Sequence, residues 1–516
     1  MKNLTVFCAL LFCTLAMFSQ DRPQTGLLFD DDAYEKTPMK ARNVSFQDVV
    51  GETSAVSLKT FVPEIRNQGG YGTCVGWSST YYGRTILNAR LENLTDTDEI
   101  SANAYAPAFT YLRSNVEDDY NCQGGAYIGR AMETMVDEGA PLLKDFDVMC
   151  ETEVPESVLQ LARENRIKDF VRLFGSNEPD ELKIETVKRA LINENPVVIG
   201  FVVENSFYSA KNVYEPDNGE ETGGHAMCVI GFDDEKYGGS FEIVNSWGDQ
   251  WGNNGYIWVR YKDFAKYSRY AFEMIAQKKT KKKVKVEVVV DDEKDDDIKE
   301  DEVVVEVVED DTEDEVVEIE KSVLAGELEL KLYDHSHMKV VQNSGEYKRT
   351  ILGFQDVVVD EETQSIGDYA TTDAYPMGTR YRMYAKVSKP AYVYVIGADS
   401  NDDSGVLFPH KAEISPYIAY ENTSVIVPGE KYWFRLNSDV TSDYSIVIFS
   451  EDKIDAQAVK ERLDSMKGDL LDKLYIIFND KLISKEDIAL NKNAMGFRAE
   501  YVNGTMAMMI LDIKRK

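Results

Sequence analysis

The first chemical signal is a cysteine that follows a glycine-rich turn within residues 66–78. This cysteine, Cys74, begins a stretch with helical apolar spacing, and the positive end of a helix dipole favours the nucleophilic thiolate. Gln68 lies six residues upstream across the turn, where its side-chain amide would point at an oxyanion beside the sulfur. The segment therefore predicts a nucleophilic cysteine, with a buried structural cysteine after a loop as the competing interpretation.

A histidine and an asparagine supply the two other groups that thiol chemistry needs. His225 is the only histidine before residue 335 and begins a strand-like run of small and β-branched residues. Asn245 ends a second strand-like run, and its side-chain oxygen would accept a hydrogen bond from one imidazole N–H, leaving the other nitrogen for the thiol. Trp247 would shield that bond from water. Taken singly, each residue is equally consistent with an ordinary strand edge or turn.

In this order, the three segments resemble the papain family of cysteine peptidases, which carries Gln, a Gly-rich turn and Cys, then His on a strand, then Asn-Ser-Trp-Gly. Here the pattern is Gln68, Cys74, His225 and residues 245–248. The spacing between cysteine and histidine is close to that of the family, and the resemblance extends over about residues 55–275. It implies an α+β fold with a helical lobe that carries the cysteine, a β-barrel lobe that carries the histidine and asparagine, and a site in the cleft between them.

The resemblance also implies a role for each residue. Cys74 attacks a peptide carbonyl and forms a thioester acyl-enzyme, while His225 protonates the leaving amine and then activates water. Asn245 orients the imidazole, and Gln68 stabilises the oxyanion. No metal or organic cofactor is required. The residues expected to bind substrate are Gly124, Gly125, Gly224 and Trp247.

Three departures from the family pattern matter. The family pairs the cysteine of its Cys-x-Gly-Gly motif with a cysteine three residues before the nucleophile, but Tyr71 stands there. Cys122 therefore lacks its usual partner, and we expect it to form a disulfide with Cys150. Val75 replaces the usual Trp after the nucleophile. Only about 30 residues separate the expected signal peptide from the catalytic domain, so the family's helical inhibitory propeptide is expected to be absent.

The predicted function is that of an exported cysteine endopeptidase that acts on peptides or proteins. Two other functions use the same scaffold. One is a catalytically inactive peptidase-like protein whose purpose is binding, which retention of Cys74, His225, Asn245 and Gln68 argues against. The other is a transpeptidase with the same triad, in which an amine replaces water as the acceptor. The sequence does not separate a peptidase from a transpeptidase.

Composition and charge exclude several other functions. The 516 residues are 43% hydrophobic and 11% aromatic, enough for well-formed cores, and carry a formal net charge of −34. An acidic chain repels phosphate backbones, which argues against nucleic-acid binding. Much of the charge is concentrated at residues 291–320, where 18 acidic residues accompany only 2 lysines. Like charges at this density extend a chain.

The N-terminal pattern predicts export. One lysine, an apolar run from residue 4 to residue 18 and a polar break are typical of a secretory signal peptide, and the run is short for a membrane span. We therefore expect a protein of the periplasm, cell surface or medium that is not integral to the membrane. The predicted organisation is a signal peptide at 1–20, a polar lead-in at 21–50, a papain-like domain at 51–277, a Val- and acid-rich linker at 278–322 and a β-rich accessory domain at 323–516.

The accessory domain is predicted from apolar alternation of period two, as at residues 328–332 and 391–396, separated by Gly, Pro, Asn and Asp turns. Residues 454–477 have helical spacing with an internal Gly468 and are expected to form a C-terminal helix, and residues 506–513 are expected to form a closing strand. The region resembles an uncharacterised β-rich domain appended to bacterial peptidase-like and signalling proteins. We expect it to bind a protein or cell-surface partner.

Overall fold

A computed structural model describes residues 23–41, 53–150, 153–277, 321–343, 366–399, 403–419, 421–422, 424–429, 431–437 and 440–516. The predicted signal peptide and most of the predicted acidic linker lie outside these residues. The described residues form two compact units, one comprising those up to 276 together with 409–417, the other comprising those within 277–408 and 418–516. None of the helices within the described ranges combines the length and apolar character needed to cross a membrane.

The helices of the first unit lie mainly in its N-terminal half. A short helix, α1 (Asp31–Lys36), is capped by the Asp30 side chain. The central helix begins at Cys74 and has three parts: an α-helical turn α2 (Cys74–Gly76), a π-helical stretch (Trp77–Arg84) and α3 (Thr85–Glu92). Further helices are α4 (Thr97–Ala102), α5 (Pro107–Ser114), α6 (Ile128–Asp137), α7 (Glu156–Arg163), α8 (Asp180–Ile192) and α9 (Tyr261–Tyr267).

The central helix is buried because its apolar positions recur at helical spacing. The positions expected to face the core are all at most 5% exposed, namely Val75, Trp77, Tyr81, Tyr82 and Ile86. Packing of this face places the first residue of the helix inside the unit rather than at its surface, where an isolated helix start would lie.

A seven-stranded antiparallel sheet forms the other half of the unit. Its strands are β1 (Ala55–Ser57), β2 (Asp169–Arg172), β3 (Val197–Glu204), β4 (Glu221–Asp233), β5 (Ser240–Val244), β6 (Tyr256–Arg260) and β7 (Ser268–Ile275). The order is β2-β7-β3-β4-β5-β6, with β1 pairing on β4. The register between β4 and β5 sets Cys228 opposite Val244. The residue after β5 is therefore brought towards the N-terminal part of β4.

The second unit is a β-sandwich with two helices. Its strands, including one at the boundary between the units, are β8 (Ser322–Leu332), β9 (Val340–Gln342), β10 (Tyr369–Thr371), β11 (Arg380–Val387), β12 (Ala391–Asp399), β13 (Ser404–Phe408), β14 (Tyr417–Ile418), β15 (Ser424–Val427), β16 (Phe434–Arg435), β17 (Ser442–Ser450), β18 (Ile488–Leu490), β19 (Met495–Tyr501) and β20 (Met506–Lys514). One sheet runs β13-β12-β17-β20-β10-β9 and the other β15-β11-β8-β19-β18.

The inner faces of the two sheets pack through large apolar side chains. Phe449 of β17 lies 5.1 Å from Phe497 of β19, ring centre to ring centre. Gly326 of β8 leaves the room that the Phe449 ring occupies, since a Cβ there would come within 2.5 Å of it. The helices α10 (Ala456–Ser465) and α11 (Leu470–Phe478) lie on either side of Gly468 and precede the last three strands. The predicted α+β fold with a β-rich C-terminal region is therefore confirmed.

Candidate active site

Cys74 is the first residue of the central helix and its side chain is completely buried. The backbone N–H of Ala226 on β4 donates to the sulfur at 3.5 Å. Burial raises the pKa of the thiol to about 11, because desolvation penalises the thiolate, although the N–H groups of Ala226, Gly26 and Val75 act in the opposite direction. In this arrangement the thiol is therefore protonated at neutral pH.

His225 and Asn245 form a hydrogen-bonded pair beside that sulfur. The Nε2 atom of His225 lies 2.7 Å from Oδ1 of Asn245, and since Oδ1 only accepts, Nε2 carries the proton. The N–H of Ser246 donates to the same oxygen at 2.8 Å, which fixes its direction. The other ring nitrogen, Nδ1, is buried and has no hydrogen-bond partner in the described part of the chain. Because the N–H of Ala226 contacts the sulfur of Cys74, the backbone of the preceding residue, His225, lies close to the thiol.

Trp247 covers this pair. Its indole stacks on the imidazole of His225, with ring centres 4.5 Å apart. Both rings are buried, so the bond between His225 and Asn245 is shielded from water as expected. Burial also lowers the pKa of His225 to about 4, an effect that the hydrogen bond to Asn245 opposes. The imidazole is therefore neutral at neutral pH, like the thiol.

Gln68 is held rigidly at the edge of the site. The hydroxyl of Ser246 donates to its Oε1 at 2.6 Å, which orients the amide so that Nε2 acts as the donor. Nε2 donates to the carbonyl of Tyr71 at 2.8 Å and to the carbonyl of Gln24 at 3.1 Å. The side chain predicted to stabilise an oxyanion thus donates to two peptide carbonyl oxygens, one of them from a distant part of the chain, Gln24.

The Gln24 carbonyl belongs to residues 24–29, a stretch of chain that lies over the site and that we call the cleft segment. Leu27 donates its N–H to the carbonyl of Gly224 at 3.1 Å, and Leu28 donates to the carbonyl of Ala126 at 3.0 Å. Ala126 in turn donates to the carbonyl of Gly26 at 2.9 Å. The cleft segment is thereby paired through its backbone on two sides, parallel to Ala126 and antiparallel to Gly224.

Three of the four predicted substrate-binding residues contact the cleft segment. Gly224 pairs with it, Trp247 donates its indole N–H to the Gln24 carbonyl at 3.2 Å, and Gly125 lies so close that a Cβ there would come within 2.5 Å of the Gly26 oxygen. Gly124 does not contact it and instead donates its N–H to Asp119 at 3.0 Å.

The sequence did not reveal the cleft segment or the part played by Ala126. Residues 21–50 were interpreted as a polar lead-in, yet Leu27 is only 4% exposed. The available signal was the short apolar run at residues 26–29 inside an otherwise polar stretch. Such a run indicates burial but does not indicate what buries it.

The predicted pairing of Cys122 with Cys150 is present as a disulfide, with Cα atoms 6.0 Å apart. It lies beside the site, because the carbonyl of Cys122 accepts the N–H of Gly72 in the glycine-rich turn at 2.7 Å. The two other cysteines in the described residues, Cys74 and Cys228, are free and buried. No cluster of three or more His, Cys, Asp or Glu side chains suited to a metal ion occurs in the described ranges.

Comparison with known families identifies two matching regions. Residues 53–280 match the model of the papain family of cysteine proteases. Residues 374–453 match a domain of unknown function, DUF4384. The first match contains all three segments of the candidate site, and the second lies within the β-rich unit, as predicted for an uncharacterised accessory domain.

Individual relatives cover only part of the chain. A cathepsin B-like protein, CP2, of Giardia intestinalis is 28% identical over 209 residues, which are 38% of this chain and 63% of that protein. An uncharacterized peptidase C1-like protein of Acanthamoeba polyphaga mimivirus is 44% identical over 86 residues, or 16% of this chain and 27% of that protein. The chain thus spans less than two thirds of either relative. Among solved structures, xylellain, a cysteine protease from Xylella fastidiosa, aligns with 50% of this chain and 97% of its own, at 19% identity and a TM-score of 0.41.

Proposed function

Because residues 53–280 belong to the papain family of cysteine proteases, we propose that this protein is an exported endopeptidase that hydrolyses peptide bonds through Cys74, His225 and Asn245. The observation that carries the proposal is the contact of β4 with the start of the central helix. The N–H of Ala226 reaches the Cys74 sulfur at 3.5 Å, while the preceding residue, His225, is held by Asn245 at 2.7 Å. These two contacts support the assignment of Cys74 as nucleophile, His225 as base and Asn245 as the orienting group.

The proposed reaction is acyl transfer. His225 accepts the thiol proton at Nδ1, and the sulfur attacks the substrate carbonyl to form a tetrahedral oxyanion. Gln68 donates to that oxyanion from Nε2, and a donor of this kind contributes roughly 3–4 kcal/mol to transition-state stabilisation in comparable sites. The imidazolium then protonates the leaving amine, which leaves a thioester on Cys74. Water, deprotonated by His225, hydrolyses the thioester and restores the free thiol.

Export is supported by the disulfide between Cys122 and Cys150. Disulfides persist in oxidising compartments and are rare in the reducing cytosol. This agrees with the apolar run at residues 4–18, which is typical of a secretory signal. Binding of a protein or cell-surface partner by the C-terminal unit stays a prediction.

The test is hydrolysis of a quenched-fluorescent peptide library by the full chain and by two matched variants. Cys74→Ala should reduce hydrolysis by at least ~10³-fold, because the nucleophile is lost. Cys228→Ala, at the other free buried cysteine, should leave hydrolysis near the parent rate. Reductant must be mild enough to keep the disulfide intact, as checked by mass. Equal hydrolysis by the parent and Cys74→Ala would refute the proposal, and faster turnover with an added amine than with water alone would favour a transpeptidase.

A further inference from the structure

We propose that Asp119 positions the backbone with which a substrate pairs, an inference that rests on the proposed function. The backbone concerned is that of residues 122–126, which we call the glycine wall. The hydrogen bonds of the Asp119 carboxylate go to this wall and to two side chains behind it, and none goes to Cys74, His225 or Asn245. Asp119 is therefore a positioning residue, and its loss should weaken substrate binding more than the chemical step.

The glycine wall offers backbone groups to an extended chain. The cleft segment identifies these groups, because Leu28 donates to the carbonyl of Ala126 at 3.0 Å and the N–H of Ala126 donates to the carbonyl of Gly26 at 2.9 Å. Gly125 lies directly beside them, since a Cβ there would come within 2.5 Å of the Gly26 oxygen. An extended substrate would use the same groups. Pairing of this kind depends on a wall whose backbone is already held in the bound conformation.

One oxygen of Asp119 accepts two successive backbone N–H groups of the glycine wall. Oδ1 accepts from Gln123 at 2.9 Å and from Gly124 at 3.0 Å. Gly124 permits this approach, because a Cβ there would come within 3.0 Å of Asp119 Cγ and within 2.6 Å of the Val116 side chain. The absence of a side chain at Gly124, a residue predicted to bind substrate, thus makes room for Asp119.

The other oxygen connects the glycine wall to α5. Oδ2 accepts from the hydroxyl of Tyr111 and, at 3.5 Å, from the side-chain amide of Asn115. The Tyr111 hydroxyl in turn accepts the N–H of Gly125 at 3.1 Å. The backbone N–H groups of residues 123–125 are therefore all held by Asp119, two of them directly and the third through Tyr111.

Tyr111 is a rigid support for this carboxylate. It is completely buried, and its Cβ packs so close to α2 that a Cβ at Gly76 would approach it to 3.2 Å. The helix that begins with the nucleophile therefore also supports the glycine wall. Desolvation raises the pKa of Asp119, but its hydrogen bonds from Tyr111, Gly124 and Gln123 hold that pKa below the usual value. The acceptor is thus a charged carboxylate, which forms stronger hydrogen bonds than a neutral one.

The glycine-rich turn before the nucleophile is joined to the wall by other contacts. Gly72 donates to the carbonyl of Cys122 at 2.7 Å, and Nε2 of Gln123 donates to the carbonyl of Gly70 at 2.6 Å. Neither bond involves the carboxylate of Asp119. The turn should therefore keep its arrangement when Asp119 is replaced, and this is why the chemical step should be nearly preserved.

The experiment measures kcat and KM for one peptide substrate, selected from the library, with the full chain and its variants. Asp119→Asn keeps the size of the side chain but exchanges one accepting oxygen for an NH₂ group that only donates. Tyr111→Phe removes only the hydroxyl. The matched control is Asp118→Asn, at the neighbouring exposed carboxylate, which accepts from the Tyr120 hydroxyl at 2.8 Å. Amide hydrogen exchange at residues 122–126, read by mass spectrometry, reports the order of the wall without depending on activity.

We expect KM to rise about tenfold in Asp119→Asn while kcat stays within about threefold of the parent, because the wall pairs with the substrate backbone and not with the reacting atoms. Tyr111→Phe should act in the same direction. The double variant should be no worse than the more affected single variant, since both substitutions break one network. Exchange at residues 122–126 should accelerate in both single variants, and Asp118→Asn should match the parent in every quantity.

Two results would overturn the role of Asp119. One is a parent-like KM in Asp119→Asn and Tyr111→Phe. The other is a fall in kcat alone, which is the result expected if Asp119 only stabilises the fold and the variants contain less active protein. If Asp119→Asn does not fold, Tyr111→Phe decides by the same readouts. Failure of the proposed function is recognised separately, because the parent would then hydrolyse peptides no faster than Cys74→Ala, and the role of Asp119 in substrate binding would be refuted with it.

Discussion

Cys74 and Cys228 have the same side chain, the same complete burial and no disulfide partner, yet their surroundings differ. Several backbone N–H groups face the Cys74 sulfur and lower its pKa against the effect of burial. Only burial acts on Cys228, whose pKa is raised further, and its S–H donates to the Val229 carbonyl, an acceptor, at 3.9 Å. Burial alone therefore produces an inert thiol, and added N–H donors from β4, the cleft segment and the helix start produce a potential nucleophile.

The difference arises from the elements that carry the two cysteines. Cys74 stands where a glycine-rich turn meets a helix that packs on β4, so its sulfur faces the N–H groups of Ala226, Gly26 and Val75. Cys228 lies within β4, where its backbone pairs with β3 and β5 and its side chain joins the main apolar core.

The largest effect is expected when His225, the proposed base for Cys74, is replaced. Relative to the parent, His225→Gln should reduce kcat/KM for peptide hydrolysis by a factor on the order of 10³, because glutamine cannot accept the thiol proton. The control is His337→Gln, whose side chain is 62% exposed on the second unit. Hydrolysis by His225→Gln at the parent rate would show that no imidazole base distinguishes Cys74 from Cys228.

The second prediction concerns pH. The pKa of Cys74 is raised to about 11, and deprotonation follows rising pH, so alkylation of the parent should accelerate about tenfold per pH unit from pH 7 towards 11. Cys228, whose pKa is raised further, should be labelled more slowly at every pH in this range. Rates of iodoacetamide labelling of the two cysteines between pH 6 and 11 measure both curves. Superimposable curves would show that the N–H donors around Cys74 do not lower its pKa relative to that of Cys228.

The third prediction tests the group that orients the imidazole. Asn245→Ala removes the acceptor for the Nε2 proton of His225 and for the N–H of Ser246. We expect kcat to fall roughly 10–100-fold, the cost of losing a buried hydrogen-bond partner, with KM nearly unchanged. Asn245→Asp restores an acceptor and should recover part of kcat. A change confined to KM in both variants would assign Asn245 to substrate binding instead.

The features that distinguish the two cysteines could largely be predicted from sequence, because local patterns encode them. A glycine-rich turn before Cys74, a strand-like run after His225 and a turn after Asn245 each reveal their own element. Alternation of period two likewise predicted a β-rich second unit, whereas the helix expected at residues 454–477 is two helices, Ala456–Ser465 and Leu470–Phe478, on either side of Gly468. In these cases, the residues that predict an element lie within that element or directly next to it.

The cleft segment could not be predicted, because its structure depends on distant partners. Leu27 pairs with Gly224 and Ala126, residues far away in the chain, through backbone atoms that carry no sequence signature. Its glycine, Gly26, fits against Gly72 for reasons visible only once both are placed. The disulfide was easier to predict, since Cys122 had few possible partners left.

The smallest effect is expected from Cys228→Ala, a substitution that should change stability but not activity. Cys228 packs among apolar core residues, so Cys228→Ala leaves a small void and should lower the free energy of unfolding by about 1 kcal/mol. Hydrolysis and Cys74 alkylation should stay within about twofold of the parent, because neither the donors on the Cys74 sulfur nor the bond between His225 and Asn245 changes. Urea unfolding and the two rate assays measure the three quantities. If Cys228→Ala loses as much activity as Cys74→Ala while its unfolding midpoint is unchanged, then Cys228 takes part in the chemistry. A lack of N–H donors around a buried thiol would then not be enough to make it inert.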